Sequence, residues 1–397
     1  MEHESAAHTV FATPELVLLA CGYLPAPDLA RCSLVCKAWS RQFEPILWAR
    51  FCPKQRDADS STDTPVVIAG LMRNLPHIRT LDLSVVDRTA LQALTSPFDL
   101  ADQDQSMLCT NLRRLKFGHV KYAPPDSASI SLHLTALLNH NRLLTQLDLS
   151  YVFLASNAVL AAIADLERLQ HITITSFVGA GTCREALLML KACLHLPELT
   201  ELHFIDMDLN WDEVDKNKEK DMPDVETIIK EASIARFSVN PTAAKIKSLR
   251  LPSNRYGARN PLPFLLLKSD LLDLETCEIP WFPKDADPKE IEQVVCERCP
   301  NLRHLICPSL RGEREQDGKA VCAFIRGCSG LKSFTAAELF SDYDAESFDD
   351  DYSDLEPRHI ISEVVSRHFN TLEVLDLRDC LQSSVRTNRT FLLNVTN

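Results

Sequence analysis

Two short patterns in the sequence bring together residue types that could do chemistry. Cys296-Glu-Arg-Cys299 has the two-residue gap of thiolate metal ligands and redox pairs. The sequence holds no second such pair and no strand–turn–helix context like that of a thioredoxin, so packing cysteines near a helix end are the preferred interpretation. Gly312, Gly318 and Lys319 approach a phosphate-binding loop, but the loop is one residue too long and Ala320 stands where magnesium needs Ser or Thr. We therefore expect no metal and no cofactor.

An acidic stretch is the most strongly biased part of the sequence. Asp342–Glu356 contains eight acidic and no basic side chains, so it supplies most of the net charge of −13. One interpretation is a solvated loop. The other is a segment that attracts a basic substrate electrostatically, with Tyr343, Phe348 and Tyr352 as aromatic anchors.

Composition and charge narrow the classes of protein. The chain has 397 residues, 45% of them apolar and 24% charged, which is typical of a globular protein with more than one domain. The negative net charge disfavours partners such as nucleic acid or an anionic membrane. The cysteines lie mostly on apolar helix faces or strand positions, which fits a reducing compartment, and we expect a cytoplasmic or nuclear location. Histidines and carboxylates share no catalytic context, so we expect no enzyme activity.

A sequence repeat that begins after residue 66 predicts a series of strands. Its core is apolar-x-x-apolar-x-apolar, as in Ile78-Arg-Thr-Leu-Asp-Leu83 and Leu372-Glu-Val-Leu-Asp-Leu377. Because strand side chains alternate between faces, the second and third apolar residues point inward and those between them point outward. The middle anchors of ten copies are Leu81, Leu115, Leu147, Ile172, Leu202, Leu249, Cys277, Leu305, Phe334 and Leu375.

This series resembles the leucine-rich repeat, and helical apolar patterns precede most of the strands. The resemblance implies a solenoid with a curved parallel sheet on its concave face and helices on its convex face. Long insertions follow strands and precede helices, which predicts that they share one rim. They span 206–224, 252–263, 280–288 and 308–317, together with an acidic loop at 337–357.

Outward strand positions predict a binding surface of mixed charge on the concave face, although ordinary solubility explains the same residues. The candidate substrate-binding residues are Arg114, Lys116, His203, Arg250, His304 and Arg378.

A different pattern fills the first fifty residues. It predicts three short helices: the first ends before Pro25, and the second has Pro27 and Asp28 in its first turn. Trp39 and Phe43 form an i, i+4 pair in the third helix. About forty residues cannot bury all of these apolar groups, so part of this surface is expected to face a partner.

This stretch resembles the F-box. The resemblance rests on Pro14-Glu-Leu16, Tyr23-Leu-Pro25, Asp28-Leu29, Leu34-Val-Cys-Lys-x-Trp39 and Leu47-Trp48. It implies binding to a Skp-type adaptor and, through it, to the cullin and RING subunits of a ubiquitin ligase. One departure is Ala12-Thr13, where the family has Leu-Pro. The adaptor-binding residues that the resemblance implies are Pro14, Leu16, Leu24, Leu29, Val35, Cys36, Trp39 and Trp48.

We therefore predict an α/β chain: a three-helix F-box at 1–52, a polar linker at 53–66 and an irregular leucine-rich-repeat solenoid at 67–397. The implied function is substrate recognition in an SCF-type ubiquitin ligase, with the solenoid holding a protein substrate. The alternative is a non-catalytic scaffold whose F-box acts outside any ligase. The divergent Ala12-Thr13 keeps this alternative open.

Overall fold

A computed structural model describes thirteen segments of the chain, which divide into two compact units, Met1–Ser150 and Tyr151–Asn397. The described segments are 13–21, 23–51, 73–83, 111–118, 127–150, 157–175, 183–205, 246–250, 271–278, 287–307, 315–336, 357–377 and 392–394.

The first unit begins with three helices, as the sequence predicts. They are α1 (Pro14–Cys21), α2 (Ala26–Ser33) and α3 (Lys37–Trp48). In α2, Pro27 lies in the first turn, and the Arg31 guanidinium donates a hydrogen bond to Asp28 Oδ1 at 3.0 Å. Val17, Cys21, Leu29 and Phe43 are buried together and form the centre of this helical cluster.

A parallel sheet continues from α3 without an intervening linker. Its strands are β1 (Arg50–Phe51), β2 (Thr80–Leu83), β3 (Arg114–Gly118) and β4 (Gln146–Ser150), with α4 (Ser127–His140) before β4. At the junction with α3, the carbonyl oxygen of Ala49 accepts hydrogen bonds from the backbone N–H groups of Arg79 at 2.8 Å and Thr80 at 2.9 Å. Residues 52–79 therefore connect two paired strands, and the predicted linker at 53–66 lies outside the described residues.

Helices and strands alternate in the second unit. Its helices are α5 (Asn157–Ala164), α6 (Cys183–Leu194), α7 (Pro288–Arg298), α8 (Glu315–Gly327) and α9 (Pro357–His368). Its strands are β5 (His171–Thr175), β6 (Glu201–Ile205), β7 (Ser248–Arg250), β8 (Thr276–Glu278), β9 (His304–Cys307), β10 (Ser333–Ala336), β11 (Val374–Asp376) and β12 (Leu392–Asn394). Strands β5 to β11 pair in parallel, and β12 pairs with β11 in the antiparallel sense.

The ten predicted anchors all lie in strands β2 to β11, and all are buried. Within each unit the anchors of neighbouring strands are direct partners: Leu81 pairs with Leu115, and Leu202 pairs with Leu249. The fold is thus mixed α/β, with eleven parallel strands among the described residues of the two units. This register explains the repeat pattern, because a one-residue slip would turn the anchors to the opposite face.

Most of the predicted insertions lie outside the described residues. The stretches 206–224 and 252–263 are wholly outside, and the acidic loop at 337–357 is described only at Pro357, where α9 begins. The insertion at 280–288 reaches the start of α7, where the Asp287 side chain accepts a hydrogen bond from the Lys289 N–H. The insertion at 308–317 overlaps the first turn of α8. Over the part of the chain that the structure describes, no helix is long and apolar enough to cross a membrane.

Candidate protein-interaction site

Large apolar side chains are exposed on α1 and on the turns that follow α1 and α2. The exposed fractions are 42% for Leu16, 63% for Leu19, 84% for Tyr23, 85% for Leu34 and 62% for Val35. We call these five residues the apolar surface. A cluster with four buried hydrophobic residues at its centre cannot cover them, and exposed apolar groups concentrated on one small domain are typical of interaction sites.

The turn between α2 and α3 presents the most exposed part of the apolar surface. Leu34, Val35 and Cys36 follow one another there, and all three are exposed. The Leu34 N–H donates to the Arg31 carbonyl and the Val35 N–H to the Cys32 carbonyl, each at 3.1 Å. These hydrogen bonds continue the helical turn of α2 by two residues, so the backbone holds both side chains outward.

The predicted adaptor-binding residues fall into two groups. Leu16, Val35 and Cys36 are exposed, as a contact residue should be. Of the others, Leu24, Leu29 and Trp39 belong to the cluster, and Pro14 opens α1 with a side chain outside the described ones. Leu24 and Trp39 are half-buried against the cluster, Leu29 is inside it, and the half-buried Trp48 ring stacks on Phe51 with centroids 6.2 Å apart.

The burial of Leu29 has a simple cause. Its helix is short, and the face that carries Leu29 also carries Cys32, which packs against the same cluster. Conversely, the predicted contact residues omit Leu19, Tyr23 and Leu34, although all three are exposed. The available signal for Leu34 was the unbroken Leu34-Val35-Cys36 run between two helices.

The outward strand positions of the first unit include two predicted substrate-binding residues, Arg114 and Lys116. Both side chains are exposed on β3. The sheet register places Lys116 between Asp82 and Asp148 of the neighbouring strands. Burial raises the pKa of the Asp148 carboxyl, and the nearby Lys116 ammonium partly offsets this rise. Lys116 therefore lies between two carboxylates, whereas Arg114 lies in a row without any.

Three of the four predicted binding residues of the second unit contact side chains on neighbouring strands. His203 Nε2 lies 2.8 Å from Ser248 Oγ, and His304 Nδ1 lies 2.8 Å from Ser333 Oγ. Arg250 Nε lies 3.5 Å from Glu278 Oε2, an ion pair that is too long for a well-formed hydrogen bond.

Electrostatics on this face favours the neutral form of His203. Burial lowers the pKa of the His203 imidazole, and the Arg250 guanidinium lowers it further. His171 Nδ1 also lies 3.0 Å from Glu201 Oε2. Together with the three contacts described above, this makes four cross-strand side-chain pairs among the described residues of β5 to β10. The remaining candidate, Arg378, lies outside the described residues.

The Cys296–Cys299 pair is divided between two environments. Cys296 is exposed on α7, whereas Cys299 is buried, and burial raises the pKa of its thiol to about 12. A thiolate ligand or nucleophile needs the opposite shift. No group of three or more His, Cys, Asp or Glu side chains that could hold a metal ion occurs among the described residues.

Comparison with known families gives one match, and it falls on the three helices. Residues 14–54 match the F-box-like family. The chain therefore carries an F-box-like domain, which indicates a role in protein–protein interaction. The match covers α1, α2, α3 and β1 and includes the whole apolar surface. No curated protein matches the chain.

Proposed function

We propose that the chain is the substrate-recognition subunit of an SCF-type ubiquitin ligase, in which the apolar surface binds a Skp-type adaptor. The observation that carries this proposal is the coincidence of the F-box-like match with five exposed apolar side chains on a small helical cluster. Burying an apolar side chain of this size is worth about 1.5–3 kcal/mol, so a few of them supply the affinity of a specific contact.

The rest of the chain then holds the protein to be ubiquitylated. This part of the proposal is supported by the in-register parallel strands and by the predicted leucine-rich-repeat pattern, whose outward positions form an array of side chains. The cullin and RING subunits join through the adaptor and carry the chemistry, so the chain itself acts as a non-catalytic receptor. Its place of action is the cytoplasm or the nucleus.

The alternative is a non-catalytic scaffold whose F-box-like domain acts outside a ligase. It keeps the adaptor contact or replaces it with another protein contact, and it needs no cullin. The divergent Ala12-Thr13 favours this alternative, because the family places Leu-Pro there.

Co-purification with the adaptor and the cullin tests the proposal. The variant Leu34→Asp with Val35→Asp places two charges on the apolar surface without touching the buried cluster, since both side chains are more than half exposed. We expect loss of adaptor and cullin together. The matched control is Leu132→Asp, which charges an exposed leucine of α4 outside the F-box-like match.

The outcomes separate the two functions. Wild-type recovery of the adaptor by the folded Leu34 and Val35 variant contradicts the adaptor contact. Recovery of the adaptor without cullin by the wild-type chain favours the scaffold. Leu132→Asp should behave as the wild type does, and a loss of adaptor in this control means that the effect is not confined to the apolar surface.

A further inference from the structure

An arginine row on the first unit is distinct from the apolar surface. Arg50 on β1 pairs in register with Thr80 on β2, which pairs with Arg114 on β3, which pairs with Gln146 on β4. All four side chains are exposed or half-buried and share the outward face. We call these four residues the arginine row. It contains hydrogen-bond donors on every strand and no carboxylate.

Among the described residues, the two cations of the arginine row have no side-chain partner. Within the segments that the structure describes, neither Arg50 nor Arg114 makes a side-chain hydrogen bond or an ion pair, and the Thr80 hydroxyl makes none either. The nearest row along the strands holds Asp82, Lys116 and Asp148, where the lysine lies between the two carboxylates. That row begins about 7 Å further along the strands, since each strand residue advances about 3.3 Å.

In the second unit, three cations on or next to strands lie close to carboxylates. There Arg250 lies against Glu278, Lys247 lies 3.6 Å from Glu275, and Lys332 lies 3.0 Å from Glu373. Arg250 and Glu278 lie on adjacent strands, whereas both lysines and their glutamates lie one residue before a strand. The arginine row lacks such carboxylates, although the chain as a whole carries 55 acidic residues against 42 basic ones. In so acidic a chain, a row that holds two arginines and no carboxylate is a local exception.

We propose that the arginine row binds an acidic segment of the captured protein, by its carboxylate or phosphate oxyanions. Arg50 and Arg114 lie two strand spacings apart, which is about 10 Å, so an oxyanion above Thr80 is within reach of both long side chains. Guanidinium groups bind planar carboxylates and phosphates through two parallel hydrogen bonds, and the Thr80 hydroxyl adds a donor between them.

The occupant is a protein segment and not a nucleic acid. A nucleic acid carries a continuous series of phosphates. Those that extend beyond the arginine row would be repelled by a chain whose net charge is −13. A short acidic segment places its charges over the row alone. This inference rests on the proposed function only for the origin of the segment, because binding to the row itself needs neither the adaptor nor the apolar surface.

Fluorescence polarisation with the full chain tests the inference. The probes are fluorescein-labelled peptides of five Glu-Gly repeats, the same peptide with phosphoserine for Glu, and the same peptide with Gln for Glu. The variant Arg50→Gln with Arg114→Gln should weaken binding of an acidic peptide about tenfold, which is about 1.4 kcal/mol. Binding of the wild type should fall as ionic strength rises, because both arginines are exposed.

The matched control removes two other exposed cations, Lys247→Gln with Lys332→Gln, and therefore changes the net charge equally. It should alter affinity by less than about twofold, since a charge effect spread over the surface is weak. Thr80→Val is an independent variant that keeps the arginines and should weaken binding by about threefold. The phosphoserine and Glu peptides show which oxyanion is preferred.

Four results would overturn the inference. The first is an equal loss of affinity in the double arginine variant and the double lysine variant. The second is an unchanged affinity in the double arginine variant or in Thr80→Val. The third is tighter binding of a single-stranded oligonucleotide than of either acidic peptide. The fourth is a tenfold gain when the acidic residues of 342–356 are made neutral, which would make the chain's own segment the occupant. Adaptor recovery is measured separately, so failure here leaves the proposed function untouched.

Discussion

Replacing Phe43 with alanine is expected to unfold the F-box-like domain while the second unit stays folded. Phe43 is 2% exposed, and its ring lies 5.5 Å from that of Trp39 at an angle of 43°. It is the largest of the four residues at the centre of the cluster. Removing a buried phenylalanine costs about 3–5 kcal/mol, through lost burial and the cavity left behind. A single core in so small a domain rarely supplies more than about 3–5 kcal/mol, so the loss equals the whole stability.

Limited trypsin digestion followed by mass spectrometry measures this effect site by site. In Phe43→Ala we expect rapid cleavage after Arg31 and Arg41, with unchanged protection of the second unit, and loss of adaptor recovery. Leu34→Ala is the matched control: Leu34 is 85% exposed, so its truncation should change stability by less than about 0.5 kcal/mol. Wild-type protection of the F-box-like domain in Phe43→Ala would refute the assignment of its core.

Two further predictions concern the second unit. Acidification should destabilise it, because burial lowers the pKa of His368, whose Nδ1 faces the Leu331 N–H at 3.4 Å and whose Nε2 lies 3.2 Å from the Ile325 carbonyl. With a lowered folded pKa the unfolded chain binds the proton more tightly, so stability present above about pH 6.5 is lost as the pH falls below that value. Denaturant unfolding at pH 7.5 and pH 5.5 should show a smaller pH effect in His368→Gln than in the exposed control His359→Gln, and equal slopes would contradict this origin. Iodoacetamide should label Cys296 in the native chain and leave Cys299 unmodified until the chain unfolds, because Cys299 is buried and its thiol pKa is raised to about 12; native labelling of both at similar rates would show that the burial is wrong.

The strands were predictable from sequence, whereas the partners of their outward side chains were not. Leu147 and Leu305 could be recognised as anchors because strand side chains alternate with a period of two, and that alternation is visible along one segment. The pairing of His203 with Ser248 depends on the register between β6 and β7, which are 45 residues apart in this contact. No local pattern encodes it.

The F-box-like helices show a second limit of prediction from the sequence. Helical spacing groups the apolar residues in and after α2 by face. It does not tell which face is buried, because burial depends on where the other helices pack. Leu29 faces the cluster and Leu34 faces away from it, although both are leucines only five residues apart. Strand β1 escaped prediction because Arg50-Phe51 is too short to show any alternation.

The junction at Ala49 has a consequence for where a captured segment would be held. One carbonyl oxygen, that of Ala49, ties the end of α3 to β2, and Arg50 of the arginine row is the next residue. The distance between an adaptor bound to the apolar surface and an oxyanion bound to Arg50 would therefore be fixed within the first unit. Inserting residues between 52 and 72 would leave that distance unchanged, since β1 and β2 on either side of them are paired with each other. A residue added between Ala49 and Arg50 would move Arg50 to the register position of Phe51 and so turn it to the other face of the sheet.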